Sequence, residues 1–471
     1  GIIRSEFGEP DILYVNDGSG TFTAASWTDG RFLTSEGAPL ESVPDEWGLT
    51  ARFYDIDGDL APDLYVSNDF ESPDQFWINR GDGTFREVDP FAVRSTSASS
   101  MAVDFSDVDR DGRTDFLVVD MLAKDPGRRR TQIPTIAPEV VHPGQIEPRL
   151  QHNRNTLFLA RGDGTFAETA RAAGIEASGW SWSTIFLDVD LDGYEDALMT
   201  TGHVWDVLDA DTQSRMLNTM VTDDWLAVIN NFPPLPLPNT AFRNLGDGSF
   251  EDASTDWGFD LGPDISHGIT LGDLDVDGDL DVIVNRLGSP AALLRNESTT
   301  PRIAVQLRGS GGNTRGIGAN VRLLGAEPEQ SKQMTAGGYY LSSPQPQIAF
   351  AAVGDGPFRL VVEWPSGAVS IVEDAQPDRL YEIFESGATV GGAAPPRTPP
   401  TGLPAERVPL FDDASERLGH SHVETEFNDF ARQPLLPHRL SQLGPGLTWT
   451  DIDDDGDPDL LIPSGVGGAL G

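Results

Sequence analysis

The chain contains no cysteine. Disulfides, thiolate zinc, iron–sulfur ligation and a cysteine nucleophile are excluded together. Whatever staples this fold must be something else. The sequence also lacks any apolar run approaching the ~20 residues that span a bilayer, so no transmembrane segment is expected. Basic side chains are scarce: 32 Lys and Arg stand against 75 Asp and Glu, a formal charge of −43. A polyanion repels phosphates and anionic lipid, and the compact basic run is limited to Arg128-Arg129-Arg130, so no nucleic-acid partner is expected. Histidine is sparse as well, at seven: His142, His152, His203, His267, His420, His422 and His438.

What is present is glycine, proline and aspartate. With 50 Gly, 35 Pro and 38 % apolar residues in 471, the composition is that of a turn-rich, mostly β globular protein. A pattern D-x-D-x-D-G-x-x-D recurs five times. Its aspartates are Asp55, Asp57, Asp59 and Asp63; Asp107, Asp109, Asp111 and Asp115; Asp188, Asp190, Asp192 and Asp196; Asp273, Asp275, Asp277 and Asp281; and Asp451, Asp453, Asp455 and Asp459. The first copy has Leu60 where the others have glycine at the sixth place. Each copy is followed by an apolar, β-prone triplet such as Leu64-Tyr65-Val66 or Val282-Ile283-Val284, which reads as a buried strand.

A second motif alternates with the first: Asn16-Asp17-Gly18-Ser19-Gly20-Thr21-Phe22, then Gly81-Asp82-Gly83-Thr84-Phe85, Gly162-Asp163-Gly164-Thr165-Phe166 and Gly246-Asp247-Gly248-Ser249-Phe250. It reads as a tight turn. From its Phe to the next acidic loop runs 22, 22 and 23 residues. Once inserts near 120–150 and 203–236 are set aside, the unit is about fifty residues, the size of a propeller blade.

Three or four carboxylates in nine residues repel one another unless a cation sits among them. Hard oxygen ligands in a flexible loop suit Ca²⁺, several ions in all, with a structural role. The backbone carbonyl at position seven is a further expected ligand. The EF-hand shares the opening of the pattern but needs a bidentate Glu at position twelve. Here that position holds Val66, Val118, Met199, Val284 and Ile462, so the EF-hand reading fails.

These loops, with the strands after them, resemble FG-GAP/VCBS repeats, the calcium-loop blades of integrin-type β-propellers. The segment Leu307-Arg308-Gly309, Asn313-Thr314-Arg315-Gly316-Ile317-Gly318-Ala319 and Val361-Val362-Glu363-Trp364-Pro365-Ser366-Gly367 resembles the ASPIC/UnbV domain of cartilage-acidic-protein-like proteins. Gln151-His152-Asn153-Arg154-Asn155-Thr156-Leu157-Phe158 and Trp180-Ser181-Trp182 resemble the propeller of that family. The resemblance implies a metal-ligand role for the aspartates above and supplies no catalytic residue.

The expected fold is all-β: a calcium-loop β-propeller plus a small ASPIC/UnbV-like β domain. The expected division is a propeller over 1–300 with a partial first blade, the β domain over 301–387, a Gly/Pro-rich linker over 388–405, and a further propeller repeat or closing blade over 406–471. The two ends look cut. They either complete one blade between them or are torn halves of different propellers, and the second is favoured because a single ring would hold only five recognisable blades. As a fragment the chain leaves room for a lost export signal.

The expected function is a secreted or surface scaffold, extracellular, at the cell surface or periplasmic, that binds a protein or carbohydrate ligand without catalysis. The rivals are a polysaccharide lyase or hydrolase using the propeller mouth, and a structural subunit pairing with other copies or chains. His420-Ser421-His422 is a weak metal candidate, and His203 is expected as a strand-end hydrogen-bonding residue. For Trp180, Trp182, Trp205 and Trp225, packing between blades is the expected fate and sugar stacking the rival. Arg128-Arg129-Arg130 is expected in a solvated loop, or drawn to an acidic partner or the protein's own acidic rim.

Overall fold

The computed structural model describes residues 10–69, 72–134, 149–219, 228–391, 427–433, 448–450 and 459–461. Strands β1 (Tyr14–Asn16) and β2 (Phe22–Ala24) form an isolated hairpin around the first glycine turn. After the short β3 (Phe32–Leu33), the first full blade is the antiparallel series β4 (Gly48–Tyr54), β5 (Asp63–Asn68), β6 (Gln75–Asn79) and β7 (Phe85–Glu87), with β3 added parallel to β7. An acidic loop joins β4 to β5, and a Gly-Asp-Gly-Thr turn joins β6 to β7.

The second blade repeats this order. Beyond β8 (Ser95–Ser97) come β9 (Ala102–Ser106) and β10 (Asp115–Val119), then β12 (Thr156–Ala160) and β13 (Phe166–Glu168). Between β10 and β12 lie helix α1 (Pro126–Thr131) and β11 (Leu150–His152), which pairs in parallel with β8. Helix α2 (Ala170–Ala173) leads to the third blade: β14 (Ser181–Leu187), β15 (Asp196–Thr201), β16 (Thr240–Asn244) and β17 (Phe250–Asp252). Helix α3 (Ala210–Thr219) lies within its insert. Among the described residues the fourth blade has three strands, β18 (Ser266–Gly272), β19 (Asp281–Arg286) and β20 (Ala292–Leu294), with β20 outermost.

The innermost strands β4, β9, β14 and β18 pack successively against one another. Apolar side chains fill each gap between blades, because strands buried on both faces must be apolar on both. Between the first two blades Phe116 is wholly buried and stacks on Phe158 at 4.5 Å, with Tyr65 and Phe105 at 5.3 and 5.7 Å. The inserts meet each other. Asp125 caps α1 by accepting from Arg128 N at 2.7 Å, and the Arg128 guanidinium forks onto both oxygens of Asp206 at 2.8 Å. The arginine run is therefore helical, and Arg128 is held by the protein's own carboxylate.

Residues 302–390 form two facing sheets. One is β21 (Arg302–Arg308) between β24 (Ile348–Ala351) and β27 (Arg379–Phe384). The other has the order β23 (Gln330–Gln333), β22 (Asn320–Leu324), β25 (Phe358–Glu363), β26 (Ala368–Ala375), β28 (Thr389–Val390). Their shared core includes Trp364, Phe350, Val362 and Leu323, all 0 % exposed. Gly316 lies in the left-handed region at φ 63°, where a Cβ would come within 2.9 Å of both the Trp364 ring and Leu307. That position of the Asn-Thr-Arg-Gly-Ile-Gly-Ala motif has no room for a side chain. The connection 334–347 leaves this pair of sheets and runs along the inner strands of the first and fourth blades.

Among residues beyond 401, helix α4 (Asp429–Arg432) and the antiparallel pair β29 (Thr448–Thr450) and β30 (Asp459–Leu461) are described. The fifth acidic loop, and with it Asp451, Asp453, Asp455 and the Asp459 side chain, lies outside the described residues, as do His142, His420, His422, His438, Trp225 and the 392–426 segment. Among the described residues no helix is long and apolar enough to cross a membrane.

Candidate metal centres

Each of the four described acidic loops turns the chain from an inner strand into its neighbour, and each is built on the same hydrogen-bond frame. The first aspartate ends the inner strand, and its carboxylate accepts backbone N–H bonds from the turn. Asp55 accepts from Gly58, Asp59 and Leu60 at 2.8–3.0 Å, Asp188 from Asp192 and Gly193 at 2.9 and 3.0 Å, and Asp273 from Asp277 and Gly278 at 3.1 and 3.2 Å. Asp107 accepts from Gly112 at 3.1 Å. The aspartate at position five closes a smaller turn onto the N–H of position seven: Asp59 to Ala61, Asp111 to Arg113, Asp192 to Tyr194 and Asp277 to Asp279, at 2.7–3.1 Å.

The ninth position is a clasp. Asp63, Asp115, Asp196 and Asp281 are at most 1 % exposed. One oxygen of each accepts from the N–H of position two (Ile56, Val108, Val189, Leu274) at 2.8–2.9 Å. The other accepts from an N–H at the end of the third strand (Asn79, Ala160, Asn244, Asn296), also at 2.8–2.9 Å. One carboxylate thus pins the loop to a strand outside it.

This frame needs two left-handed residues, at positions four and six. In the second to fourth loops glycine takes position six (Gly112 φ 82°, Gly193 φ 96°, Gly278 φ 99°), and Arg110, Leu191 and Val276 are forced to φ 56–62° at position four. The first loop exchanges the roles: Gly58 is at position four (φ 82°), and Leu60 takes position six at φ 69°. The missing glycine of the first copy is thereby explained. Val276 is β-branched, 81 % exposed and held at φ 62°, a conformation that costs ~1–2 kcal/mol for an L side chain. Val276→Gly loses no packing and is expected to raise stability by roughly 0.5–1 kcal/mol, measured by urea unfolding. A loss of stability would show that the valine side chain is held by contacts.

Carboxylates converge in each of the four described loops. Oxygens of Asp55, Asp57 and Asp63 lie within 4.8 Å of one another, and so do those of Asp107, Asp109 and Asp115, of Asp188, Asp190 and Asp196, and of Asp273, Asp275 and Asp277. Position five joins only the fourth set, where position nine is absent. Asp59, Asp111, Asp192 and Asp281 thus stand outside these groupings.

Burial dominates the electrostatics. It pushes the Asp55 carboxyl up to about 6 and Asp63 up to about 8, with neighbouring carboxylates adding to the rise, and it holds Asp115 and Asp196 well above the usual range. A dication among these groups reverses that logic by favouring the charged form. The donors fit such an ion: all are hard oxygens, and Asp190 Oδ1 is buried with no hydrogen-bond partner.

The cages differ in the cations the chain itself supplies. In the third, Arg243 meets Asp190 at 2.8 Å and Asp192 at 3.4 Å. In the fourth, Arg295 meets Asp275 at 3.4 Å, and Arg302 meets Asp277 and Asp279 at 2.6 and 3.4 Å. Arg113 pairs with Asp111 in the second. Arg113 belongs to the second loop itself, whereas sequence spacing gave no sign of Arg243, Arg295 and Arg302, which reach the loops from strands or segments later in the chain.

Two family models match. One, for the FG-GAP-like repeat, covers residues 55–118, from the first acidic loop through the second. The other, ASPIC and UnbV, covers 309–390. The chain carries FG-GAP-like repeats and an ASPIC and UnbV domain. The narrower likeness to cartilage-acidic-protein-like proteins is not confirmed. No curated protein matches the chain. Among solved structures it is similar to one of an Agrocybe aegerita lectin that recognises non-reducing terminal N-acetylglucosamine, at 15 % identity and a TM-score of 0.27, covering 69 % of this chain and 65 % of that one. At that score the likeness carries no argument. The FG-GAP-like match spans two of the cages described above, and the ASPIC and UnbV match contains Gly316 and Trp364.

The remaining candidates are placed as follows. His203 bonds through Nδ1 to the Trp205 carbonyl at 2.6 Å, at the end of β15, and stacks on Trp180 at 4.2 Å. Trp182 lies 5.7 Å from His203, 4.5 Å from His267 and 5.6 Å from Tyr340. The indoles are packed against other rings, as expected of packing residues.

Proposed function

We propose that this chain is a calcium-stabilised β-propeller scaffold that presents a ligand-binding surface and performs no catalysis. The observation that carries the reading is the fourfold repetition of one loop frame with a buried clasp aspartate, in each of which three carboxylates meet within 4.8 Å. A repeated frame of this kind serves the fold, since each copy sits at the same bend of a blade. Calcium there takes the place of the missing disulfides. Sites that fill at millimolar calcium suit a location outside the cell, at its surface or in the periplasm. The ligand is a protein or a carbohydrate, and the surface for it is the propeller face carrying the two inserts.

Isothermal titration of chelator-treated full-length chain with CaCl₂ tests the reading. At least four ions are expected to bind, with Mg²⁺ a weak competitor because it keeps its waters and demands a tighter octahedron. A flat thermogram with Ca²⁺ would remove calcium from the account.

A further inference from the structure

Nothing in the ASPIC and UnbV segment supplies an acidic loop, yet its 332–347 stretch touches three of the four cages. Gln333, at the end of β23, accepts through Oε1 from the backbone N–H of Asp55 at 3.2 Å, the first residue of the first cage. Lys332 meets Glu195 at 2.9 Å. Glu195 is 3 % exposed, adjoins the clasp Asp196, and also receives Arg110 from the second loop at 3.4 Å. At the fourth cage, Gln345 Oε1 accepts from Asp273 N at 3.0 Å while Gln347 Nε2 donates to Asp273 Oδ2 at 2.9 Å. The same stretch is tied to both ends of the blade series. Gln345 N donates to Leu271 O on β18 at 2.9 Å, Thr270 Oγ1 donates to Ser343 O at 2.7 Å, and Arg52 of β4 lies over the Tyr339 ring at 4.6 Å.

These contacts are made to the first aspartate of a cage or to the buried acid beside its clasp, so they act on groups that would hold an ion. An amide that donates to Asp273 fixes which carboxylate lone pairs are left to face the loop. A backbone N–H held by Gln333 fixes where Asp55 begins its turn. Outer partners of this kind set the orientation of metal ligands and commonly alter affinity by ~10–100-fold.

We propose that Lys332, Gln333, Gln345 and Gln347 are positioning residues for the cages, and that docking of 332–347 against the blades and calcium binding are thermodynamically linked. The linkage runs both ways: ions in the first and fourth cages hold the segment down, and the docked segment tightens those ions. It rests on calcium occupying the cages.

Two measurements on the full chain test it. Hydrogen exchange of the 339–350 amides is expected to be slower in calcium than in chelator, while the ASPIC and UnbV core strands β22 and β25 exchange alike in both. Titration of Gln345→Ala/Gln347→Ala with CaCl₂ is expected to show one ion weakened about tenfold and the others unchanged. Calcium binding with full stoichiometry but identical 339–350 protection in both conditions would overturn the linkage and leave the cages standing. Equal weakening of all ions in the variant would also overturn it, since that reports general damage. Absence of any calcium binding would fell the cage reading itself. The exchange comparison uses the unaltered chain, so it stands even where the variant folds poorly.

Discussion

Adding a chelator is expected to lower the melting temperature by on the order of 10 °C relative to millimolar calcium. One ion that binds only the native state contributes about 2.7 kcal/mol at a hundredfold excess over Kd. Four such ions give roughly 11 kcal/mol, and an unfolding entropy of about 2.1 cal/mol/K per residue converts that into the stated shift. The loss is largest where the chain provides no cation of its own. The second, third and fourth cages keep Arg113, Arg243, and Arg295 with Arg302 when the ion leaves. Asp55, Asp57 and Asp63 keep a cluster in which burial makes the Asp55 and Asp63 carboxyls resist ionisation. In chelator, hydrogen exchange should therefore report opening of the first blade, β4 and β5, before the third. Superimposable melting curves with and without calcium would refute the structural role of the ion.

Asp115→Ala is expected to cost roughly 3–5 kcal/mol even without calcium. The substitution leaves the N–H groups of Val108 and Ala160 without their acceptor at a site that is 0 % exposed, and each stranded buried donor costs about 1–3 kcal/mol. Asp111→Ala removes a carboxylate that stands outside the converging set, closes a local turn and pairs with the partly exposed Arg113. It should cost about 1 kcal/mol. Urea unfolding of both variants in chelator decides the matter. Equal losses would mean that the ninth position is an ordinary loop aspartate and that the blade does not depend on its clasp.

The repeat was legible because its chemistry is local. Aspartate at alternate positions followed by an apolar triplet fixes a loop and the strand after it, and Gly-Asp-Gly-Thr-Phe fixes a hairpin: Asp82 accepts from both the N–H and the hydroxyl of Thr84 at 3.0 and 2.6 Å. Glycine at Gly81 (φ 70°) and Gly83 (φ 90°) supplies the left-handed backbone around it. The strands of the first three blades follow from that alternation; the fourth has the acidic loop but no glycine turn, and neither motif announces β20.

Within the acidic loops the spacing alone treated four aspartates as equivalent. The distinction between ligand, turn-closer and clasp needs the third strand, whose N–H groups come from Asn79 or Asn244, 16 and 48 residues further on. Arg243, Arg295 and Arg302 were illegible for the same reason, and so was the role of 334–347. Met334-Thr335-Ala336-Gly337-Gly338-Tyr339-Tyr340 has neither alternation nor helical period, and its contacts with Arg52 span 286 residues.

Among the described residues the fourth blade has three strands; its outer one, β20, exposes Leu293 at 64 %, while Leu294 lines an apolar hollow of about 330 Å³ with Val282, Trp257 and Phe259. An edge of this sort recruits any extended backbone that comes near. Mutual repulsion between bodies of formal charge −43 is expected to oppose pairing of two molecules there. Strong brine shortens the reach of that repulsion to ~3 Å at 1 M. Light scattering is therefore expected to rise as salt is added, a tendency to clump that a capping strand on β20 would abolish.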